Sequence, residues 1–273
     1  MASASVTTSS EPIAHRFAEL RAGGRRALVA YLTAGFPEPA SSLELLRGVE
    51  EAGADIVEVG VPFSDPIADG PIIQASSQRA LRQGVTFDRA LELIADAGLR
   101  VPVVLFTYLN PLVAAGGDAL RRAADAGVHG VLVTDLPLGA DPEREAWLGA
   151  GPLAFVRLVA PTTPRERMAK IAEHGRGFVY LISRLGVTGV RDELPPELAE
   201  TIARLRGVTA LPICVGFGIS RPEQARAVAE MADGVVVGSA LVRAAADGPG
   251  PAVRLTRALR QAIDGAAAPA PAA

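Results

Sequence analysis

Eight short runs of branched apolar residues recur along the chain with helix-like stretches between them, and this order restricts the fold more than any other feature. The runs are Leu28 to Leu32, Ile56 to Val59, Val103 to Phe106, Gly130 to Val133, Ala154 to Leu158, Phe178 to Ile182, Ile213 to Gly216 and Gly234 to Val237. Each is continuous rather than alternating, as a strand covered on both faces must be, and segments such as Ser41 to Ala52 and Arg221 to Met231 read as the intervening helices. Eight β-then-α units predict an α/β chain closed into a (β/α)8 TIM barrel, with an extra helix ahead of the first strand. A doubly wound sheet is the competing architecture. It seldom needs eight parallel strands, and no G-x-G-x-x-G follows the first run. The 273 residues fit one such barrel. Residues 1–10 read as a disordered polar leader, 11–264 as the barrel and 265–273 as a disordered Ala/Pro tail.

Spacing between runs locates the unusual units. Most run starts lie 21 to 28 positions apart, but 47 separate residues 56 and 103 and 35 separate 178 and 213. The second and sixth units therefore carry extra chain, expected as long loops after strands 2 and 6 on the face where barrel active sites lie. Those loops hold Ser64-Asp65-Pro66-Ile67-Ala68-Asp69-Gly70-Pro71 and Ser183 to Arg191. They are expected to fold over a substrate as a lid, against the alternative of ordinary decoration of the rim. Strand 7 runs into Gly216-Phe217-Gly218-Ile219-Ser220 and strand 8 into Gly238-Ser239-Ala240. Glycines here let backbone N–H groups approach phosphate oxygens at a helix N-terminus, where Ser239 would cap and donate its hydroxyl and Gly189 would close from above. Tight turns alone would explain either glycine; together they favour phosphate.

Composition removes several chemistries. A net charge of -3 with 21% charged residues offers no basic footprint for nucleic acid and no polybasic membrane patch, so a small molecule is the expected ligand. No apolar h-region or membrane-length apolar stretch is present, and the one cysteine, Cys214, reads as a small core residue in a reducing cytoplasm. The only lysine, Lys170, lies in a helical stretch, which disfavours a Schiff-base aldolase. The histidines His15, His129 and His174 have no spacing that gathers two on a metal. Carboxylate acid/base catalysis remains. Glu58 interrupts the apolar run Ile56 to Val59, where burial would raise its pKa toward neutrality. A structural ion pair with Arg157 is its rival reading. Asp69, on the following loop, reads as wetter and ionised, a steady charge for a developing cation, with an Asx-type turn before Gly70 as the rival. Tyr180 presents its hydroxyl near the same mouth or serves in core packing.

The segments Val57 to Gly70, Ala30 to Pro37, Thr107 to Pro111, Asp135 to Pro137, Leu181 to Gly189 and Gly216 to Ser220 resemble, in order, the α subunit family of tryptophan synthase, an indole-3-glycerol-phosphate lyase. The resemblance runs from about Ile13 to Arg260. It implies retro-aldol cleavage of indole-3-glycerol phosphate to indole and glyceraldehyde 3-phosphate in tryptophan biosynthesis. Glu58 would carry protons, to the ring carbon and from the glycerol hydroxyl beside the breaking bond, while Asp69 would accept the indole N–H. Phe217, Phe106 and Tyr108 would wall the indole pocket, and Thr188 would bond to Asp69 when the loops close. Gly189, Gly218, Gly238 and Ser239 match phosphate-contacting positions.

Family likeness further implies a β subunit carrying pyridoxal phosphate in an α2β2 heterotetramer, no cofactor or metal on this chain, and Asp65, Asn110 and Pro137 on the face toward the partner. Thr134 and Leu185 depart from the usual family residues, Thr134 with an expected small effect on that face. Two alternatives stand beside the lyase: a phosphate-binding barrel isomerase of a ribosyl or anthranilate substrate, which leaves Asp69 unexplained, and a catalytically silent barrel that only activates a β subunit.

Overall fold

A computed structural model describes residues 11–182, 195–216 and 218–266. The eight runs form the strands β1 (Ala27–Thr33), β2 (Ile56–Gly60), β3 (Val103–Thr107), β4 (Gly130–Val133), β5 (Ala154–Val159), β6 (Val179–Ile182), β7 (Ile213–Gly216) and β8 (Gly234–Val237). They pair in parallel in sequence order, and β8 closes onto β1. Helices α1 (Glu11–Ala22), α2 (Pro39–Glu51), α3 (Pro71–Arg82), α4 (Phe87–Ala97), α5 (Leu109–Ala114), α6 (Ala119–Asp125), α7 (Pro142–Ala150), α8 (Arg165–Glu173), α9 (Leu198–Arg206), α10 (Pro222–Ala229), α11 (Ser239–Ala244) and α12 (Pro249–Asp264) accompany them. Local chemistry sets their ends. The Thr86 side chain accepts from Arg89 N to start α4 and left-handed Gly98 stops it, while Asp141 accepts from Arg144 N ahead of Pro142 at the head of α7.

At the N-terminal end of the barrel, the first N–H groups of several strands would be orphaned without a side-chain acceptor. Asp55 Oδ2 accepts from Leu28 N at 2.8 Å, His129 Nδ1 from Val103 N at 3.1 Å and Asp233 Oδ2 from Ile213 N at 2.9 Å. Buried Asp55 also pairs with Arg16 of α1 and Arg260 of α12, each at 2.6 Å, so one carboxylate ties both terminal helices to β1 and β2. Helix α1 plugs this end: Ile13 packs against Gly130 and Gly177, and Phe17 lies 5.8 Å from Phe178. His129 thus has a structural post, and burial lowers its pKa, in keeping with a neutral acceptor ring.

The extra length of the second unit proves to be mostly helix. After β2 residues 61–70 form the expected long loop, and an inserted helix, α3, accounts for the rest of the added chain before α4. The inserted helix is amphipathic, burying Ile73, Ser76, Ser77 and Ala80, and that contact anchors the loop. The sixth unit's extension, residues 183–194, lies outside the described residues, as do the leader 1–10 and the tail from 267. No described helix is long and apolar enough to cross a membrane.

Candidate active site at the C-terminal mouth

Strand register decides which side chains meet. Tyr31 of β1 stands opposite Glu58 of β2, and Thr33 opposite Gly60, which in turn faces Phe106 of β3. Paired residues of a parallel sheet share a face, so Tyr31, Glu58 and Phe106 belong to the interior set. Tyr31 and Phe106 meet edge to face across Gly60, with centroids 5.0 Å apart. A side chain at 60 would have no room: a Cβ there would fall 2.1 Å from the Tyr31 hydroxyl oxygen. The same device recurs across the barrel, where a Cβ on Gly216 would fall 2.1 Å from the Tyr180 hydroxyl. Tyr180 is in register with Leu158 and Cys214. Two glycines thus admit two phenols to the interior.

Glu58 is 0% exposed, and both its carboxyl oxygens lack a hydrogen-bond partner among the described residues. Burial without compensation pushes its pKa from 4.5 up to about 8. The rival ion pair is not formed. Arg157 points away from the mouth, 2.8 Å from Glu145 Oε2 and stacked 3.9 Å from the Phe155 ring centroid.

Asp69 departs from expectation. It is 7% exposed rather than wet, and its Oδ2 accepts from the Tyr108 hydroxyl at 2.9 Å instead of capping a turn. Burial raises its pKa from 3.8 to about 6, with the Tyr108 bond opposing the rise. Tyr108 is held in turn: Ala68 N donates to its oxygen at 3.0 Å, and its ring lies 5.0 Å from Phe63. The inserted helix contributes through Gln74, whose amide donates to the Asp69 carbonyl at 2.9 Å. A loop carboxylate is thereby fixed to the end of β3. Thr134 brings its hydroxyl near that of Tyr108 and bonds weakly to the Thr107 carbonyl at 3.4 Å.

The chain's three tyrosines, Tyr31, Tyr108 and Tyr180, all stand around these two carboxyls, and the Tyr31 and Tyr180 phenols are kept protonated chiefly by burial. Sequence reading singled out Tyr108 and Tyr180 but not Tyr31. The available signal was a polar-aromatic residue in β1 facing a glycine two residues beyond a buried Glu. Leu158 and Ile182, half-buried at the strand ends, complete the apolar lining and were not anticipated.

On the opposite side of the mouth, Gly218 has φ +90 and open space beside it, and exposed Ser239 opens α11. Gly238 rather than Ser239 holds the cap position, a correction that leaves the Ser239 hydroxyl outside the helix's own bonding. Thr188, Gly189 and Phe217 lie outside the described residues. Asp65, Asn110 and Pro137 are exposed on the segments that follow β2, β3 and β4. No group of three or more potential metal-ligating side chains occurs among the described residues.

A closed (β/α)8 barrel with two buried carboxyls at its C-terminal mouth is the class of protein that this fold and site define. The family model of the tryptophan synthase alpha chain matches residues 17–265. A tryptophan synthase alpha chain from Halalkalibacterium halodurans is 48% identical over 225 residues, 81% of this chain and 84% of the relative. One from Laribacter hongkongensis is 46% identical over 92% of this chain and 98% of its own. A solved structure of Mycobacterium tuberculosis tryptophan synthase superposes with a TM-score of 0.85 at 38% identity, covering 92% of this chain and 97% of that one. The alpha subunit from Legionella pneumophila gives 0.84 at 34% identity, over 93% and 98%. The chain belongs to the tryptophan synthase alpha chain family. The lyase of tryptophan biosynthesis accordingly stands over the isomerase and the silent activator.

Proposed function

We propose that the mouth cleaves indole-3-glycerol phosphate with Glu58 as the proton carrier and Asp69 as the anionic partner. The observation that carries this reading is a pair of buried carboxyls with different surroundings: no described residue bonds either oxygen of Glu58, whereas Asp69 accepts from the Tyr108 hydroxyl. Between pH 6 and 8 Asp69 is ionised and Glu58 keeps its proton, which are the forms the reaction needs. Glu58 gives its proton to the indole carbon that bears the side chain, and the ring cation that forms is balanced by Asp69, which accepts the ring N–H. The carbon–carbon bond then breaks with its electron pair returning to the ring. The hydroxyl on the departing carbon loses its proton to Glu58 and becomes the aldehyde, so Glu58 ends as it began.

Phe106, Tyr108 and Tyr180 flank the ring, with Phe217 as the further wall. Gly218, Gly238 and Ser239 receive the phosphate, closed by Gly189, while Thr188 joins the sixth loop to Asp69. No cofactor is needed on this chain for these steps.

The partner is a β subunit carrying pyridoxal phosphate, in an α2β2 assembly in the cytoplasm. Supporting this face, Asp65 lines an open groove of about 590 Å³ between the second loop and α3, and Ile67 beside it is 81% exposed. Leu109 N bonds to Asp135 Oδ1 at 2.8 Å, so the segments carrying Asn110 and Pro137 are tied into one rim. Incubating the purified chain with indole-3-glycerol phosphate, alone and with a β subunit, tests the reading. Indole release is expected, faster with the partner; no indole under either condition rejects it.

A further inference from the structure

Tyr31 borders Phe106, Gly60 and Gly238, yet the steps above give it no task. Its ring packs edge to face on Phe106, and its hydroxyl occupies the niche beside Gly60. On the other flank, a Cβ on Gly238 would lie 3.4 Å from the Tyr31 Cβ and Cδ1 atoms, so the ring abuts the loop assigned to phosphate. The order of strands makes this position matter. The strands run β8, β1, β2 around the wall, with Gly238 following β8 and Glu58 on β2. A substrate with its phosphate at Gly238 and Ser239 and its reacting carbon at Glu58 lays the connecting carbon chain across β1.

Within β1 the interior polar groups are Tyr31 and Thr33. The Thr33 hydroxyl lies 2.7 Å from Ser76 Oγ, which donates to the Ile73 carbonyl, and also interacts with the Tyr31 hydroxyl. Tyr31, with Phe106 on one flank and Gly238 on the other and in register with Glu58, lies on the path of a hydroxylated chain between the two ends. It is 6% exposed and braced by Phe106, so little side-chain freedom is lost on binding. Because the phenol stays protonated, it can donate as well as accept.

We propose that Tyr31 is a further substrate-binding residue, whose hydroxyl hydrogen-bonds the hydroxylated three-carbon chain between the ring and the phosphate. The proposal rests on the lyase reading and adds to it the group that selects a glycerol-type linker over a plain alkyl one. A buried phenol that bonds a substrate hydroxyl discriminates against the analogue lacking it, since that bond is then lost.

The test compares two ligands by titration calorimetry: indole-3-glycerol phosphate and 3-(indol-3-yl)propyl phosphate, which lacks both chain hydroxyls. Binding is measured in the Glu58→Gln background, so that substrate is not consumed, with and without Tyr31→Phe. We expect Tyr31→Phe to weaken the hydroxylated ligand about tenfold and to change the propyl ligand less than twofold. Gly60→Ala, whose Cβ takes the space of the phenol oxygen, should reproduce the selective loss by displacing the hydroxyl rather than deleting it. Equal weakening of both ligands means that Tyr31 only packs, and no weakening of either means that its hydroxyl is idle; each overturns the proposal. If the background protein binds neither ligand, the lyase reading fails and this one with it.

Discussion

Replacing Glu58 with Gln should stabilise the chain while disabling it. The native carboxyl keeps its proton up to about pH 8 because it is fully buried with no partner for either oxygen, whereas in the unfolded chain it ionises at its ordinary 4.5. Between these values the native state binds the extra proton, so stability falls as pH rises through the window and levels off above about 8. A factor of ten in proton affinity corresponds to about 1.4 kcal/mol, which makes the cost about 3 kcal/mol at pH 7 and under about 1 kcal/mol at pH 5. Gln is nearly isosteric, neutral at every pH and similarly unpartnered, so Glu58→Gln removes this pH-dependent cost. Urea unfolding followed by circular dichroism at pH 5, 7 and 8 should show a gap that widens with pH. In thermal scans at pH 7 it should appear as a gain of roughly 5–10 °C. Turnover of indole-3-glycerol phosphate should fall ~10²- to 10⁴-fold. Parallel stability curves for the two proteins from pH 5 to 8 would refute the reasoning, because they would mean that native Glu58 titrates like an exposed carboxylate.

Other consequences can be measured on the same protein. The pH profile of kcat/KM should be a bell with limbs near 6 and 8, the first belonging to Asp69 and the second to Glu58. Tyr108→Phe removes the bond that holds the Asp69 pKa down, so the acid limb should move to higher pH; an unmoved limb contradicts the assignment. Asp55→Ala strands the buried guanidinium of Arg260 and frees Leu28 N, which should cost about 3–5 kcal/mol in urea unfolding and leave kcat of the folded protein unchanged, since the cluster sits at the opposite end of the barrel. Ser239→Ala should raise KM for the phosphorylated substrate several-fold with little change in kcat, and a loss confined to kcat would remove Ser239 from the phosphate site.

The order of elements was legible because each strand is buried on both faces and so must be written as an unbroken apolar run. All eight strands fall within a residue or so of those runs. Glu58 stood out for the same reason, being the one ionisable residue in the run Ile56 to Val59. Asp69 was harder. A carboxylate on a polar loop looks solvated in sequence, and its burial depends on Tyr108, 39 positions away, and on an inserted helix whose extra length resembled loop.

What the sequence by itself determined was the barrel, the strand that carries the proton donor and the loop that carries its partner, since these follow from local pattern and chain order. Only the tertiary structure decided which side chains meet. Barrel closure sets β1 between β8 and β2, register places Tyr31 opposite Glu58, and two glycines make the space that two phenols fill. Nor does sequence set the order in which the two carboxyls titrate. That order comes from how completely each is removed from water and whether a donor compensates it: Tyr108 does so for Asp69, and no described residue does so for Glu58.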